Sequence, residues 1–106
     1  MTYLALAGAI VLEVMGTISL RLSDGLSRPV PTILVAIGYL GAFTLLAQVL
    51  ARGLPVGVAY AIWAGVGVAL VALIGAAFLG DALTWVQVAG LVLVIVGVAA
   101  LELGRP

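Results

Sequence analysis

Four long apolar stretches alternate with short polar links along the chain. The apolar stretches run over about 3–22, 30–51, 56–79 and 85–103. About 20 residues at a rise of about 1.5 Å each are enough for a helix to cross the hydrocarbon core of a bilayer. The links carry turn residues and are short, which makes successive helices antiparallel neighbours: Ser23-Asp24-Gly25, Pro29-Val30-Pro31, Arg52-Gly53-Leu54-Pro55 and Gly80-Asp81. The pattern predicts an all-α membrane protein with four transmembrane helices in a single domain, 1–106.

Composition supports this prediction and excludes several classes of function. The 106 residues are 66% hydrophobic and only 8% charged, against about 25% charged in a typical soluble domain. The sequence has no Cys and no His, so it lacks thiolate and imidazole metal ligands, and we predict no metal and no cofactor. A formal net charge of zero gives no reason to expect a nucleic-acid partner. No nucleophile–base pair can be assembled, so we predict that the chain is not an enzyme. The first apolar stretch is long enough to span the bilayer, and we interpret it as a helix of the mature protein rather than a cleaved signal peptide.

Glu13 lies near the middle of the first apolar stretch. A carboxylate at the centre of a membrane helix costs about 2.5–3.5 kcal/mol on insertion scales. We therefore interpret Glu13 as functional, the alternative being a structural hydrogen bond to a neighbouring helix. Its position about ten residues into the helix places it near the membrane midplane from either side.

Arginines are evenly divided between the two sets of loops. Arg52 and Arg105 fall on the side of the N-terminus, and Arg21 and Arg28 fall on the other side. Because an excess of Lys and Arg in the cytoplasmic loops sets orientation, a two-against-two balance predicts no preferred orientation. If oppositely oriented copies pair, the product is an antiparallel, dual-topology homodimer, which would build a midplane site from two inverted halves.

Residues at helical spacing from Glu13 form a face of the first helix. Leu6, Ala9, Thr17 and Leu20 align with Glu13, and Gly16 lies beside them. The small residues leave room for a ligand, or alternatively for close packing of another helix.

Aromatic and glycine residues mark the third and fourth stretches. Tyr60 and Trp63 are three residues apart, and such rings near a carboxylate suit organic cations; the alternative is that they fill the core. Gly65 and Gly67 are mid-helix positions that favour a kink. Gly90 and Gly97 share one face of the fourth helix, as expected of a contact between copies or of packing within one chain.

Together these segments resemble the small multidrug resistance family over essentially the whole chain. The resemblance lies in Ala9-Ile10-Val11-Leu12-Glu13-Val14-Met15-Gly16-Thr17, in the loop Ser23-Asp24-Gly25-Leu26-Ser27-Arg28-Pro29, in the run from Gly57 to Gly67 that contains Tyr60-Ala61-Ile62-Trp63, and in the Gly90/Gly97 pair. The combination of a mid-helix Glu with the Tyr-Ala-Ile-Trp segment is the specific part of this signal.

The resemblance implies an antiparallel homodimer that exchanges protons for organic cations across a bacterial inner (plasma) membrane. It implies that Glu13 binds both proton and substrate, and that Tyr39 and Phe43 line the pocket with the two aromatics of the third helix. It implies a hinge at Gly65 and Gly67 and a dimer interface at Gly90 and Gly97. The full predicted substrate pocket is Leu6, Ala9, Ile10, Gly16, Thr17, Tyr39, Phe43, Tyr60 and Trp63.

Three positions separate the branches of the family. The guanidinium-exporting branch places Trp at position 16, Ser at position 42 and Lys near position 102, where this chain has Gly16, Ala42 and Glu102. The sequence is therefore closer to the multidrug branch, and we predict a proton-coupled antiporter for lipophilic and aromatic cations such as quaternary ammonium compounds. The alternatives are a guanidinium or small-cation exporter and a non-transporting membrane assembly subunit. We interpret Glu102 as solvated at the helix end rather than as a second proton site.

Overall fold

The computed structural model describes residues 1–105, which contain four α-helices. These are α1 (Thr2–Leu22), α2 (Pro29–Ala51), α3 (Val56–Phe78) and α4 (Trp85–Leu103). Each begins and ends within one residue of the bounds predicted from the sequence. The prediction of an all-α, four-helix fold is confirmed, and all four helices are long and apolar enough to cross a membrane. The assignment of the whole chain to one domain remains a prediction.

Two of the helices begin with recognisable start signals. Pro29 is the first residue of α2, a position where its missing N–H removes no helical hydrogen bond. At the start of α4, the Thr84 side chain accepts from the Gln87 N–H at 3.2 Å, and the Gln87 side chain accepts from the Thr84 N–H at 2.9 Å. This reciprocal pair is a capping box, and it explains why the third link ends at Thr84.

The first compact unit, Met1–Leu54, is a hairpin of α1 and α2 held together by backbone contact. A Cβ atom added to Gly38 would lie 2.7 Å from the Leu12 carbonyl oxygen and 3.0 Å from the Gly16 Cα and N atoms. Further along the hairpin, Gly41 lies against the Leu12 side chain and Gly8 against Leu45. From Gly38 to Leu45 along α2, the contacted residue of α1 moves back from Gly16 to Gly8. The two helices are therefore antiparallel, as the short first link predicts.

The link between α1 and α2 is a left-handed turn organised by Ser23. Asp24, Gly25 and Leu26 have φ angles of 51°, 70° and 69°, a region that non-glycine residues rarely occupy. The fully buried Ser23 side chain donates to the Leu20 carbonyl at 2.7 Å and accepts from the Leu26 N–H at 2.9 Å. These hydrogen bonds hold two non-glycine residues in the strained conformation.

The second compact unit begins at Pro55 and contains α3 and α4. Gly65 of α3 receives the Val94 and Val98 side chains of α4, and a Cβ atom there would lie 2.5 Å from Val98. In contrast to the other three helices, α4 has no buried residue among those described. An apolar groove remains between the two helices, lined in part by Gly65, Gly97 and Leu101.

Candidate functional site

The Glu13 carboxylate is anchored by a hydrogen bond within α1. The Thr17 hydroxyl donates to Glu13 Oε1 at 2.7 Å. The two residues are four apart, so their side chains lie on the same face, one turn above the other. The nearest basic residue along the same helix, Arg21, is eight residues further on, about 12 Å of helical rise away. A hydroxyl is therefore the group that supports this carboxylate from its own helix.

Tyr39 of α2 extends this hydrogen bonding across the hairpin. Its hydroxyl lies 2.8 Å from Thr17 Oγ1. The tyrosine ring passes directly over Gly16, where an added Cβ atom would lie 3.0 Å from ring atoms Cδ1 and Cε1. The absence of a side chain at Gly16 thus allows the ring to reach Thr17. We call Glu13, Thr17 and Tyr39 the hydroxyl chain.

The predicted pocket residues of the first hairpin differ in how exposed they are. Leu6, Ala9, Ile10 and Gly16 are buried, the three members of the hydroxyl chain are partly exposed, and Phe43 is 59% exposed. The buried residues pack within the protein, whereas the hydroxyl chain remains partly open. Of the predicted lining residues in this hairpin, Gly16, Thr17 and Tyr39 are brought together with Glu13 by direct contacts.

The two aromatic residues of α3 form an edge-to-face pair. The Tyr60 and Trp63 ring centroids are 6.1 Å apart and the rings are inclined by 82°. Trp63 is only 5% exposed, while Tyr60 is 63% exposed. The rings are neighbours on one helix, as their spacing predicts. Their participation in a pocket with Glu13 remains a prediction.

The glycines of α3 and α4 lie in different surroundings. Gly65 and Gly67 are buried and lie within an uninterrupted helix. Among residues 1–105, a Cβ atom added to Gly90 or Gly97 would meet no atom within 4 Å apart from the adjacent residues and nearby backbone of α4 itself. The backbone at these two α4 positions is therefore open to close approach. The hinge and dimer-interface assignments remain predictions.

Three interactions were not predicted from the sequence. The link from Thr17 to Glu13 could have been found from their four-residue spacing, because a hydroxyl one turn from a carboxylate can donate to it. The link to Tyr39 depends on the α1–α2 register, which the sequence does not specify. At the end of α4, Glu102 forms an ion pair with Arg105 at 3.2 Å, with both side chains one-third exposed. This pairing refines the interpretation of Glu102 as a solvated helix-end residue.

Comparison with known proteins agrees with the fold and with the sequence motifs. Residues 1–94 match the family model described as Small Multidrug Resistance protein. The chain is 43% identical over 103 residues to the multidrug resistance protein mmr of Mycolicibacterium paratuberculosis, covering 97% of this chain and 96% of that protein. It is 42% identical over 101 residues to the multidrug transporter EmrE of Escherichia coli, covering 95% and 91%.

A third relative has a more specific name. The nicotine metabolites export pump subunit NepA of Paenarthrobacter nicotinovorans is 44% identical over 95 residues, which cover 90% of this chain and 81% of NepA. The family model and these relatives span nearly the whole of the four-helix chain. The chain belongs to the Small Multidrug Resistance family, whose members are multidrug transporters rather than enzymes.

Proposed function

We propose that this chain is a proton-coupled antiporter that exports lipophilic and aromatic cations, such as quaternary ammonium compounds, from the bacterial cytoplasm. The observation that carries the proposal is Glu13, a carboxylate in the middle of a transmembrane helix that is supported by a hydroxyl rather than a cationic side chain. Such a carboxylate has no cationic side chain within two turns of its own helix to compete with an incoming cation. Membership of the multidrug family agrees with this role.

Competition at Glu13 provides the coupling. The ionised carboxylate attracts a cation, and a proton competes for the same oxygens. An unneutralised carboxylate is expensive to enclose in the membrane. The protein therefore switches readily between its inward-facing and outward-facing states only when Glu13 carries a proton or a cation. Proton entry from the outside then exchanges for cation exit from the inside.

The position of Glu13 suits access from both sides of the membrane. It is eleven residues from Thr2 and nine from Leu22, the ends of α1. At about 1.5 Å per residue these separations are about 16.5 Å and about 13.5 Å, so the carboxylate is near the middle of the span.

The active assembly in this proposal is an antiparallel homodimer in the bacterial inner membrane. The two-against-two arginine balance allows both orientations. Gly90 and Gly97 on α4 offer open backbone for a second copy, and small residues permit close helix approach in membranes. Tyr60 and Trp63 would supply ring faces for the cation, with Gly65 and Gly67 allowing α3 to bend.

Transport by the purified protein in liposomes tests the proposal. An imposed pH gradient should drive uptake of an aromatic quaternary ammonium compound more strongly than uptake of guanidinium. Glu13→Gln should abolish gradient-driven transport, because the amide neither binds a proton nor carries charge. Glu102→Gln is a matched control at the end of α4 and should retain transport.

The possible outcomes separate the three candidate functions. Gradient-driven transport of guanidinium alone would identify the narrower exporter. No gradient-driven transport of either cation by correctly folded protein would overturn the proposal and favour a non-transporting or heteromeric subunit. The relative NepA is itself a pump subunit by name, which makes the heteromeric case a specific one.

A further inference from the structure

The hydroxyl chain contains two bridging hydroxyl protons, and their directions are linked. Thr17 has a single hydroxyl hydrogen, which it donates to Glu13 Oε1 at 2.7 Å. Thr17 can therefore only accept in its 2.8 Å contact with the Tyr39 hydroxyl. With Glu13 ionised, both hydroxyl hydrogens point towards the carboxylate, from Tyr39 to Thr17 and from Thr17 to Glu13.

A proton on Glu13 Oε1 reverses the bond to Thr17 and frees the Thr17 hydrogen, so that the bond between Thr17 and Tyr39 can reverse as well. The carboxyl O–H then becomes the donor and Thr17 accepts from it. The Thr17 hydrogen turns to the Tyr39 oxygen, and the Tyr39 hydrogen is released to donate elsewhere. One proton is added to the carboxylate, each hydroxyl keeps its own hydrogen, and no other covalent bond is made or broken.

The packing of Tyr39 limits this change to rotation of hydroxyl hydrogens. Its ring lies against Gly16, at 3.0 Å from the position of an added Cβ atom, and Gly38 holds the neighbouring backbone of α2 against α1. The three oxygen atoms can therefore remain in place while the hydrogen bonds reverse.

We infer that Thr17 is a positioning residue that transmits the protonation state of Glu13 to the hydroxyl of Tyr39. The inference deepens the proposed function and rests on it, because it requires Glu13 to take up a proton. In the ionised state, Tyr39 supports the carboxylate through Thr17. In the protonated state, Tyr39 presents a free O–H donor, so that the polar character of the site changes with proton uptake.

Few other ionisable groups of this hairpin are near the hydroxyl chain. Within 29–51, Tyr39 is the titratable side chain of α2, with Arg28 and Arg52 just beyond its two ends. On α1, Arg21 is about 12 Å and Tyr3 about 15 Å from Glu13 along the axis, at about 1.5 Å per residue. Within the hairpin, Glu13 is thus the group from which a pH-dependent change at Tyr39 would originate.

Infrared difference spectroscopy of the lipid-reconstituted protein, without substrate, tests the inference. Spectra at acidic and alkaline pH are compared for protein with isotope-labelled tyrosine. We expect a protonated-carboxyl band that Glu13→Gln removes and a tyrosine C–OH band that shifts with it. Tyr39→Phe should remove the tyrosine shift, whereas Tyr3→Phe, at the end of α1, should preserve it.

The Thr17 variants distinguish transmission from simple packing. Thr17→Val has nearly the same shape without the hydroxyl, so the carboxyl band should remain while the tyrosine shift is lost. Thr17→Ser should restore the shift.

Each result has a defined meaning. A carboxyl band that titrates without any tyrosine shift, or a shift that persists in Thr17→Val, overturns the inference and leaves the proposed function intact. Absence of a titrating carboxyl band assigned to Glu13 overturns the proposed function, and the inference with it.

Discussion

Adding one methyl group at Gly38 should separate α1 from α2 and break the hydroxyl chain. In Gly38→Ala the new Cβ atom would lie 2.7 Å from the Leu12 carbonyl oxygen and 3.0 Å from the Gly16 Cα and N atoms. Optimal separations between carbon atoms are about 3.5–4.0 Å. Because all three partners are backbone atoms, a side-chain rotation cannot relieve the overlap, and the helices must move apart by about 0.5–1 Å.

The energetic and structural effects follow from this displacement. Overpacking costs about 1–3 kcal/mol, and the greater helix propensity of alanine offsets about 1 kcal/mol. We therefore expect a net loss of up to about 2 kcal/mol in the free energy of unfolding. The contact between the Tyr39 and Thr17 oxygens, 2.8 Å in the wild type, would lengthen beyond the usual limit of about 3.0 Å.

Gly41→Ala is the matched control on the same helix. Its Cβ atom would meet Leu12 Cδ1 at 2.9 Å, which is the far end of a flexible side chain that can rotate away. Denaturant unfolding in detergent micelles measures the stability of both variants, and infrared difference spectra measure the tyrosine shift. The reasoning is refuted if Gly38→Ala unfolds like wild type and keeps the tyrosine shift, or if Gly41→Ala is equally damaged.

Three further predictions concern the aromatic pair, the first link and the assembly. Trp63→Ala should weaken binding of aromatic cations by about 1–3 kcal/mol through lost cation–π contact and apolar area, as measured by titration calorimetry; an equal loss for small aliphatic cations would contradict the pocket role. Ser23→Ala should lower the free energy of unfolding by about 0.5–1.5 kcal/mol because it removes the side chain that accepts from the Leu26 N–H, while Leu26→Gly should relieve strain at φ 69° and be tolerated in the same denaturation assay. Lysines added to one set of loops should force a single orientation that is inactive in transport alone and active with an oppositely biased partner; full activity of one forced orientation would exclude the antiparallel dimer.

The helices could be predicted because membrane-spanning length and apolarity are properties of the local sequence. The charged and turn residues between the apolar stretches placed every helix end within one residue. The capping box at Thr84 and Gln87 follows a pattern that is also readable in sequence, although it refines only the start of α4. For the helix ends and the capping box, the local sequence and the structure agree.

The hydroxyl chain is different because it depends on register between two helices. The sequence singles out Glu13 as expensive to place in a membrane and places Thr17 on its face. The contact with Tyr39 requires Gly16 to lie opposite residue 39 and Gly38 to touch the α1 backbone, and many registers of two apolar helices have similar hydrophobic burial. The close approach permitted by glycine selects one register, and this selection is visible only in three dimensions.

The local bond between Thr17 and Glu13 has a consequence for biogenesis. During synthesis, α1 emerges from the ribosome before α2 does, so Tyr39 cannot yet assist the carboxylate. Thr17 lies on the same helix as Glu13 and can donate to it as soon as that turn forms. The acidic residue therefore enters the bilayer with its first partner already attached, which lowers the barrier to inserting the nascent helix. Emergence of α2 then adds the second donor, so that the first half of the chain can assemble its polar centre before the second half enters the membrane.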